Sequence, residues 1–166
     1  MEILFSSESV AQRIRKMGEE IAEFYRGKEL TVIVLMNGGA FFACDLTRAM
    51  DIPMWFDSLR ASSYLHDSRT DKVNITSGLK LPVAGRHILL ADDVFDSGET
   101  IRTCREFFMN AGALSVKSAV LVNKKVAGRE SEPDWYGFIS PDRYLVGFGL
   151  DSEEYYRNCP YIGCMD

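Results

Sequence analysis

The chain has 166 residues, 46% of them hydrophobic and 26% charged, the balance of a globular protein able to bury one core without disulfide staples. Its formal charge of -5 opposes an electrostatic grip on nucleic acid, which needs a concentrated basic face. The chain shows no basic leader followed by an apolar stretch and no run of membrane-spanning length, and its cysteines, Cys44, Cys104, Cys159 and Cys164, follow no common zinc spacing. The expectation is therefore one domain over residues 1–166, cytoplasmic, with no membrane or nucleic-acid partner and with reduced, mostly buried thiols.

Apolar Val10, Ile14, Met17, Ile21 and Tyr25 recur at helical steps behind the candidate caps Ser6, Ser7 and Ser9, which predicts an amphipathic first helix. The continuous apolar run Leu30 to Met36 predicts a buried strand, broken by Asn37-Gly38-Gly39 before a helical pattern resumes at Phe41, Phe42, Cys44 and Leu46. "PMWFDSLRASSY" predicts a further strand, followed by a polar stretch from Leu65 to Asp71 that predicts a flexible loop, and then by another strand in "KVNITSGLKL". "RHILLADD", "ETIRTCREFFMNAG" and "SVKSAVLVNK" repeat the order strand, helix, strand, with Ala111-Gly112 closing the helix. Beyond Lys125 the pattern changes to short strands around "DWYGFIS" and "RYLVGFGLD" and an aromatic, loop-like tail. Alternating elements of this kind imply an α/β fold with a mostly parallel sheet flanked by helices.

The chemistry concentrates in "ILLADDVFDSGETI", Ile88 to Ile101. In open α/β sheets ligands bind beyond the carboxyl ends of the strands, and the apolar run here delivers Asp92, Asp93 and Asp96 to such an end. Ser97, Gly98 and Thr100 fall where a turn becomes a helix N-terminus, whose backbone N–H groups and dipole favour an anion. Acids beside an anion cradle repel it unless they meet hydroxyls or a metal. The ligand that satisfies both demands carries a phosphate and a neighbouring diol, as a ribose 5-phosphate does.

"ILLADDVFDSGETI" also resembles the phosphoribosyl-pyrophosphate (PRPP) motif of the purine phosphoribosyltransferases. The resemblance runs along nearly the whole chain, in "LMNGGAFFACDLTRAM", "LRASSY", "VLVNK", "PDWYGFISPDRYLVGFGLD" and "EYYRNCPYIG", which together are similar to hypoxanthine (guanine) phosphoribosyltransferases. It implies purine salvage: transfer of the phosphoribosyl group of PRPP to hypoxanthine or guanine, with Mg²⁺, in a homodimer or homotetramer. It further implies a lid over about residues 62–76 and a small C-terminal purine-binding hood over about residues 124–166.

Carried over residue by residue, the resemblance assigns Asp92 and Asp93 to the ribose hydroxyls, directly or through magnesium, and Asp96, Ser97, Gly98, Glu99 and Thr100 to the 5-phosphate. Asp96 corresponds to the base that takes the purine N7 proton. Lys124 matches the donor to the purine 6-oxo group, with Lys125 its nearby competitor. Tyr144 matches the aromatic that stacks on the base, Leu145 the source of backbone groups to its edge, and Asp151 a second-magnesium ligand at the purine side. Arg157 matches a pyrophosphate contact, as do Asn37, Gly38 and Gly39, and Ser63 and Tyr64 match the lid pair that excludes water from the reacting centre. His66 and His87 fit no partner pattern and are expected in a loop and at a strand edge.

Three positions depart from the pattern. Asn37 stands where many relatives carry lysine or arginine, Asp92 replaces the commoner glutamate, and Glu99 places an acid in the phosphate loop, where its side chain is expected to face solvent. Two rivals weaken on inspection of the chain. A receiver domain shares "ILLADD", but the 79 residues after His87 are too few for its remaining elements. A nucleotide-sensing regulator on the same fold would lack the base and the lid pair, whereas Asp96, Ser63 and Tyr64 are all present.

Overall fold

A computed structural model describes residues 1–63, 73–75 and 79–165. In chain order the elements are β1 (Glu2–Phe5), α1 (Ser7–Tyr25), β2 (Leu30–Met36), α2 (Gly39–Arg48), β3 (Trp55–Ser63), β4 (Val73–Ile75), β5 (His87–Phe95), α3 (Glu99–Asn110), β6 (Ser115–Lys125), β7 (Trp135–Pro141), β8 (Tyr144–Val146) and β9 (Ile162–Met165). Tyr64, His66 and most of the predicted lid lie outside the described residues.

The helical stripe of α1 is the one its periodicity predicts: Val10, Ile14, Met17, Ile21 and Tyr25 are all buried. Ser6 is the cap, its side chain accepting a hydrogen bond from the Ser9 N–H at 3.3 Å. In β2 and β5 successive apolar residues divide between two cores, as the two-residue period of a strand requires. Val32, Val34, Leu89 and Ala91 pack beneath α1 and α2, while Ile33, Leu35, Ile88 and Leu90 pack beneath α3. Both faces of the sheet are thus covered, which is why these strands read as unbroken apolar runs.

The main sheet has the order β4-β3-β2-β5-β6-β7. β3, β2, β5, β6 and β7 run parallel, and β4 closes the edge antiparallel to β3. The chain leaves β2 through α2 toward β3 and leaves β5 through α3 toward β6, so the connections part between the carboxyl ends of β2 and β5. A crevice at such a parting is where open α/β sheets bind ligands.

Three expectations are corrected. The tail is not all loop: β9 pairs antiparallel with β8 and with the N-terminal β1, through Glu2↔Cys164 and Ile3↔Gly163, in a separate three-stranded sheet. Within "KVNITSGLKL" the strand is confined to Val73–Ile75 among the described residues. Of the four cysteines, all free, Cys104 and Cys164 are buried, Cys159 is half-buried and Cys44 is exposed on α2. His87 does open β5, its Nδ1 2.8 Å from the Ser115 hydroxyl. Among the described residues no helix is long and apolar enough to cross a membrane.

Candidate active site

The acids do not terminate β5. The strand continues through them in register with β6, pairing Asp92↔Val120, Val94↔Val122 and Phe95↔Asn123. Asp92 and Asp93 are half-buried, the Asp92 carboxylate accepting from the Asp93 N–H at 2.9 Å and the Asp93 carboxylate from the Val94 N–H at 2.8 Å. Burial first, then the charge of Asp93, raises the Asp92 carboxyl well above its ordinary range; burial also raises Asp93, opposed in part by its own hydrogen bonds and by Arg157. Two adjacent, half-buried carboxylates held this way favour a cation or a hydroxyl donor.

The turn after β2 comes against them because it lacks side chains. A Cβ on Gly38 would collide with the Asp93 carboxylate, and one on Gly39 would lie 2.8 Å from the Ala91 carbonyl oxygen. Glycine is thus required for Asn37-Gly38-Gly39 to approach the acid pair. The backbone around Gly149 covers the same turn, leaving no room for a Cβ beside the Gly38 carbonyl.

Beyond Phe95 the chain turns through Asp96 and Ser97 to Gly98, which has φ +84°, and enters α3 at Glu99. The Ser97 hydroxyl accepts from the Glu99 N–H at 3.3 Å, and the Gly98 carbonyl accepts from Arg102 at 2.9 Å. This is the opening turn of a 12-residue helix, with the donor geometry that suits a phosphate. Glu99 pairs with Arg102 on the helix flank at 2.5 Å, and that hydrogen bond holds its carboxyl below the ordinary value.

The residues expected at the purine side gather at the next strand ends. Lys124 is largely enclosed, its Nζ 3.3 Å from Asp96 Oδ2 and 3.6 Å from Asp142 Oδ1, whereas Lys125 at the end of β6 is exposed. Tyr144 opens β8 with its ring exposed and donates its hydroxyl to the Asp151 carbonyl at 3.2 Å. Leu145 has a buried side chain and pairs through its backbone with Cys164. Asp151 is ion-paired with Arg157 at 2.9 Å, and Arg157 also donates to the Gly149 carbonyl at 2.6 Å and pairs with Glu154. Tyr144, Asp151 and Arg157 therefore form one linked group next to the Gly38 turn.

Two arginines take part that sequence reasoning missed. Arg60, on β3 opposite Met36, donates to the Asn37 side-chain carbonyl at 3.2 Å, bringing a cation to the position where the chain lacks one. "LRASSY" contains it, but only the parallel register of β2 and β3 puts it beside Asn37. Arg129, from the loop after β6, donates to the carbonyls of Phe95, Asp96 and Lys124, and nothing in its local sequence marks it.

A model described as the phosphoribosyl transferase domain matches residues 2–153. The chain belongs to this phosphoribosyltransferase family. Among curated relatives, a hypoxanthine-guanine phosphoribosyltransferase of Streptococcus pneumoniae is 33% identical, over 98% of this chain and 92% of that protein. A hypoxanthine-guanine-xanthine phosphoribosyltransferase of Tritrichomonas foetus is 30% identical, over 98% of this chain and 90% of that protein. Among solved structures, a hypoxanthine phosphoribosyltransferase of Staphylococcus aureus superposes with a TM-score of 0.92 at 28% identity, covering 99% of this chain and 91% of that one. The phosphoribosyltransferase fold thus brings Asn37, Gly38, Gly39, Asp92, Asp93 and Arg157 to one crevice and sets Asp96 against Lys124 beside it. Ser63 ends β3, and Tyr64, expected to pair with it in a lid, lies outside the described residues.

Proposed function

We propose that the protein transfers the phosphoribosyl group of PRPP to a 6-oxopurine, hypoxanthine or guanine, releasing pyrophosphate and forming the nucleoside 5′-monophosphate. The observation that carries this is the 3.3 Å contact between Lys124 and Asp96 at the mouth of the phosphate turn. A lysine is a fixed donor, matched to a 6-oxo group and mismatched to a 6-amino group. A carboxylate beside it, exposed on the turn, is poised to accept the N7 proton as the ring attacks the sugar.

The remaining groups divide by chemistry. The turn from Asp96 to Thr100 holds the 5-phosphate, the Asp92–Asp93 pair faces the ribose hydroxyls, and Asn37-Gly38-Gly39 with Arg157 and Arg60 meets pyrophosphate. Tyr144 supplies the stacking face, Leu145 the edge contacts, and Ser63 with Tyr64 the lid. Mg²⁺ keeps several water and phosphate ligands beside one or two carboxylates, and the adjacent Asp92 and Asp93 supply such a pair. Asp92 and Asp93, both raised by burial, would hold the ion, and Asp151 would serve a second magnesium. When bound, it offsets the charge of departing pyrophosphate.

Four free cysteines, one of them exposed, support a reducing, cytoplasmic setting. Apolar surface along the groove lined by Cys44, Met50, Met54 and Phe56 supports a homodimer or homotetramer, which light scattering checks. For the purine assignment the test is Lys124→Met with calorimetry of each ligand. The expected result is a loss of base affinity of about 10- to 100-fold, the range for a charged hydrogen bond, with PRPP affinity nearly kept. Loss of PRPP affinity with base affinity intact overturns the role of Lys124 and favours Lys125.

A further inference from the structure

We propose that Arg129 is a positioning residue for the transfer reaction: its guanidinium locks the diverging ends of β5 and β6 so that Asp96 and Lys124 address the same purine. The proposal rests on the roles given above to those two residues.

The two strands are in register to Phe95↔Asn123. After that rung they part, Asp96 entering the phosphate turn and Lys124 pairing onward with Ser140 of β7. The strand-end carbonyls at the fork need a donor other than the ladder between β5 and β6, and Arg129 Nη1 supplies it, reaching Phe95 at 3.2 Å, Asp96 at 2.9 Å and Lys124 at 2.7 Å. Nη2 donates to the Asn123 side-chain carbonyl at 2.6 Å and to Glu132 at 2.9 Å, and Nε donates to the Ser131 carbonyl at 2.9 Å. Six acceptors meet the five N–H groups that an arginine offers. With a side chain only 6% exposed, the guanidinium is fully committed inside the protein.

An arginine that only closed its own loop would bond to that loop alone. Here three of the acceptors are the backbone carbonyls of Asp96 and Lys124 themselves and of Phe95. The guanidinium also lies 4.7 Å over the Phe95 ring, and that ring packs so closely under Gly98 that a Cβ there would meet it at 2.8 Å. Arg129 thus supports the phosphate turn from below and fixes the spacing across which Lys124 and Asp96 meet. Lysine cannot replace it, because a single ammonium lacks the planar fork that serves both strand ends at once.

The test is a pair of double-mutant cycles on the full chain, Arg129→Lys with Asp96→Asn and Arg129→Lys with Lys124→Met. Turnover and the Michaelis constants for base and PRPP are measured alongside melting temperature. Misplacing reacting groups by about 1 Å costs about 100-fold in rate, so Arg129→Lys is expected to lower kcat roughly 10- to 100-fold while KM for PRPP stays within about threefold. In at least one of the two backgrounds the added loss should shrink to about threefold or less, as coupling requires. Turnover within about threefold of the parent in Arg129→Lys, or losses that multiply in both backgrounds, overturns the proposal. Asp96→Asn alone reports separately on the base: if its turnover is normal, that role is withdrawn and Arg129 is judged on the Lys124→Met cycle. Should Arg129→Lys fail to fold, Phe95→Leu, which removes the ring beneath the guanidinium, enters the same cycles under the same criterion.

Discussion

Gly98→Ala perturbs the phosphate turn by one methyl group. At φ +84° an added Cβ would lie 2.8 Å from both Phe95 Cζ and Ser131 Oγ, and left-handed backbone costs a non-glycine residue about 1–2 kcal/mol by itself. The Phe95 ring is buried under Arg129 and has little room to yield, so the turn must give. Restoring ordinary contact takes a shift of about 0.6 Å, from 2.8 Å to the 3.4 Å at which packing becomes normal. A backbone N–H that met a phosphate oxygen at about 2.9 Å then stands near 3.5 Å, at the limit of a hydrogen bond. One charge-assisted bond is worth about 1.5–3 kcal/mol, so affinity for the nucleoside monophosphate should fall about 10- to 100-fold, with base contacts untouched. Calorimetric titration of IMP or GMP measures the fall, and thermal denaturation reports the strain the turn retains, at about 2–4 °C per kcal/mol. Normal monophosphate affinity in a folded Gly98→Ala protein would refute the placement of the phosphate at this turn.

Asp96→Asn should lower turnover by ~10² to 10⁴, the range for general acid–base catalysis, with PRPP affinity nearly unchanged, as steady-state kinetics with separate binding measurements will show. Asp93→Asn should instead weaken PRPP affinity and raise the magnesium concentration for half-maximal rate. Asn37→Ala is expected to leave KM for PRPP nearly constant while Arg60→Met raises it, since the backbone and the neighbouring arginine serve that corner; the reverse order would make the Asn37 amide the ligand. Asp92→Asn should raise the melting temperature at neutral pH. A carboxyl whose folded pKa lies above its ordinary 3.8 weakens the fold progressively as pH rises from that value through the folded one, so the gain should vanish below about pH 4, and an equal gain at all pH values contradicts the burial argument.

Legibility in the sequence followed the range of each interaction. β2 and β5 stand out because strands covered on both faces must be apolar throughout, and α1 because its single buried stripe has the helical period. The extension of β5 through Val94 and Phe95 is hidden by the acids that interrupt the apolar run. The pairing of Glu2–Phe5 with Ile162–Met165 is equally hidden, since each strand has 4 residues and its partner lies at the far end of the chain. At the site, Asp92, Asp93, Asp96 and Gly98 could be read locally because strand, turn and helix N-terminus are consecutive. Arg60 and Arg129 could not: one acts through the parallel register of β2 and β3, the other through carbonyls 33 and 34 residues away.

The central claim is that one crevice joins PRPP to a 6-oxopurine and rejects a 6-aminopurine. Its most direct measurement follows nucleotide and pyrophosphate formation from PRPP with hypoxanthine, guanine, xanthine and adenine in turn, with and without Mg²⁺. The predicted result is equimolar pyrophosphate and IMP or GMP, only with Mg²⁺ present, and no AMP. Turnover of adenine equal to that of hypoxanthine and guanine, or no nucleotide from any 6-oxopurine, would contradict it.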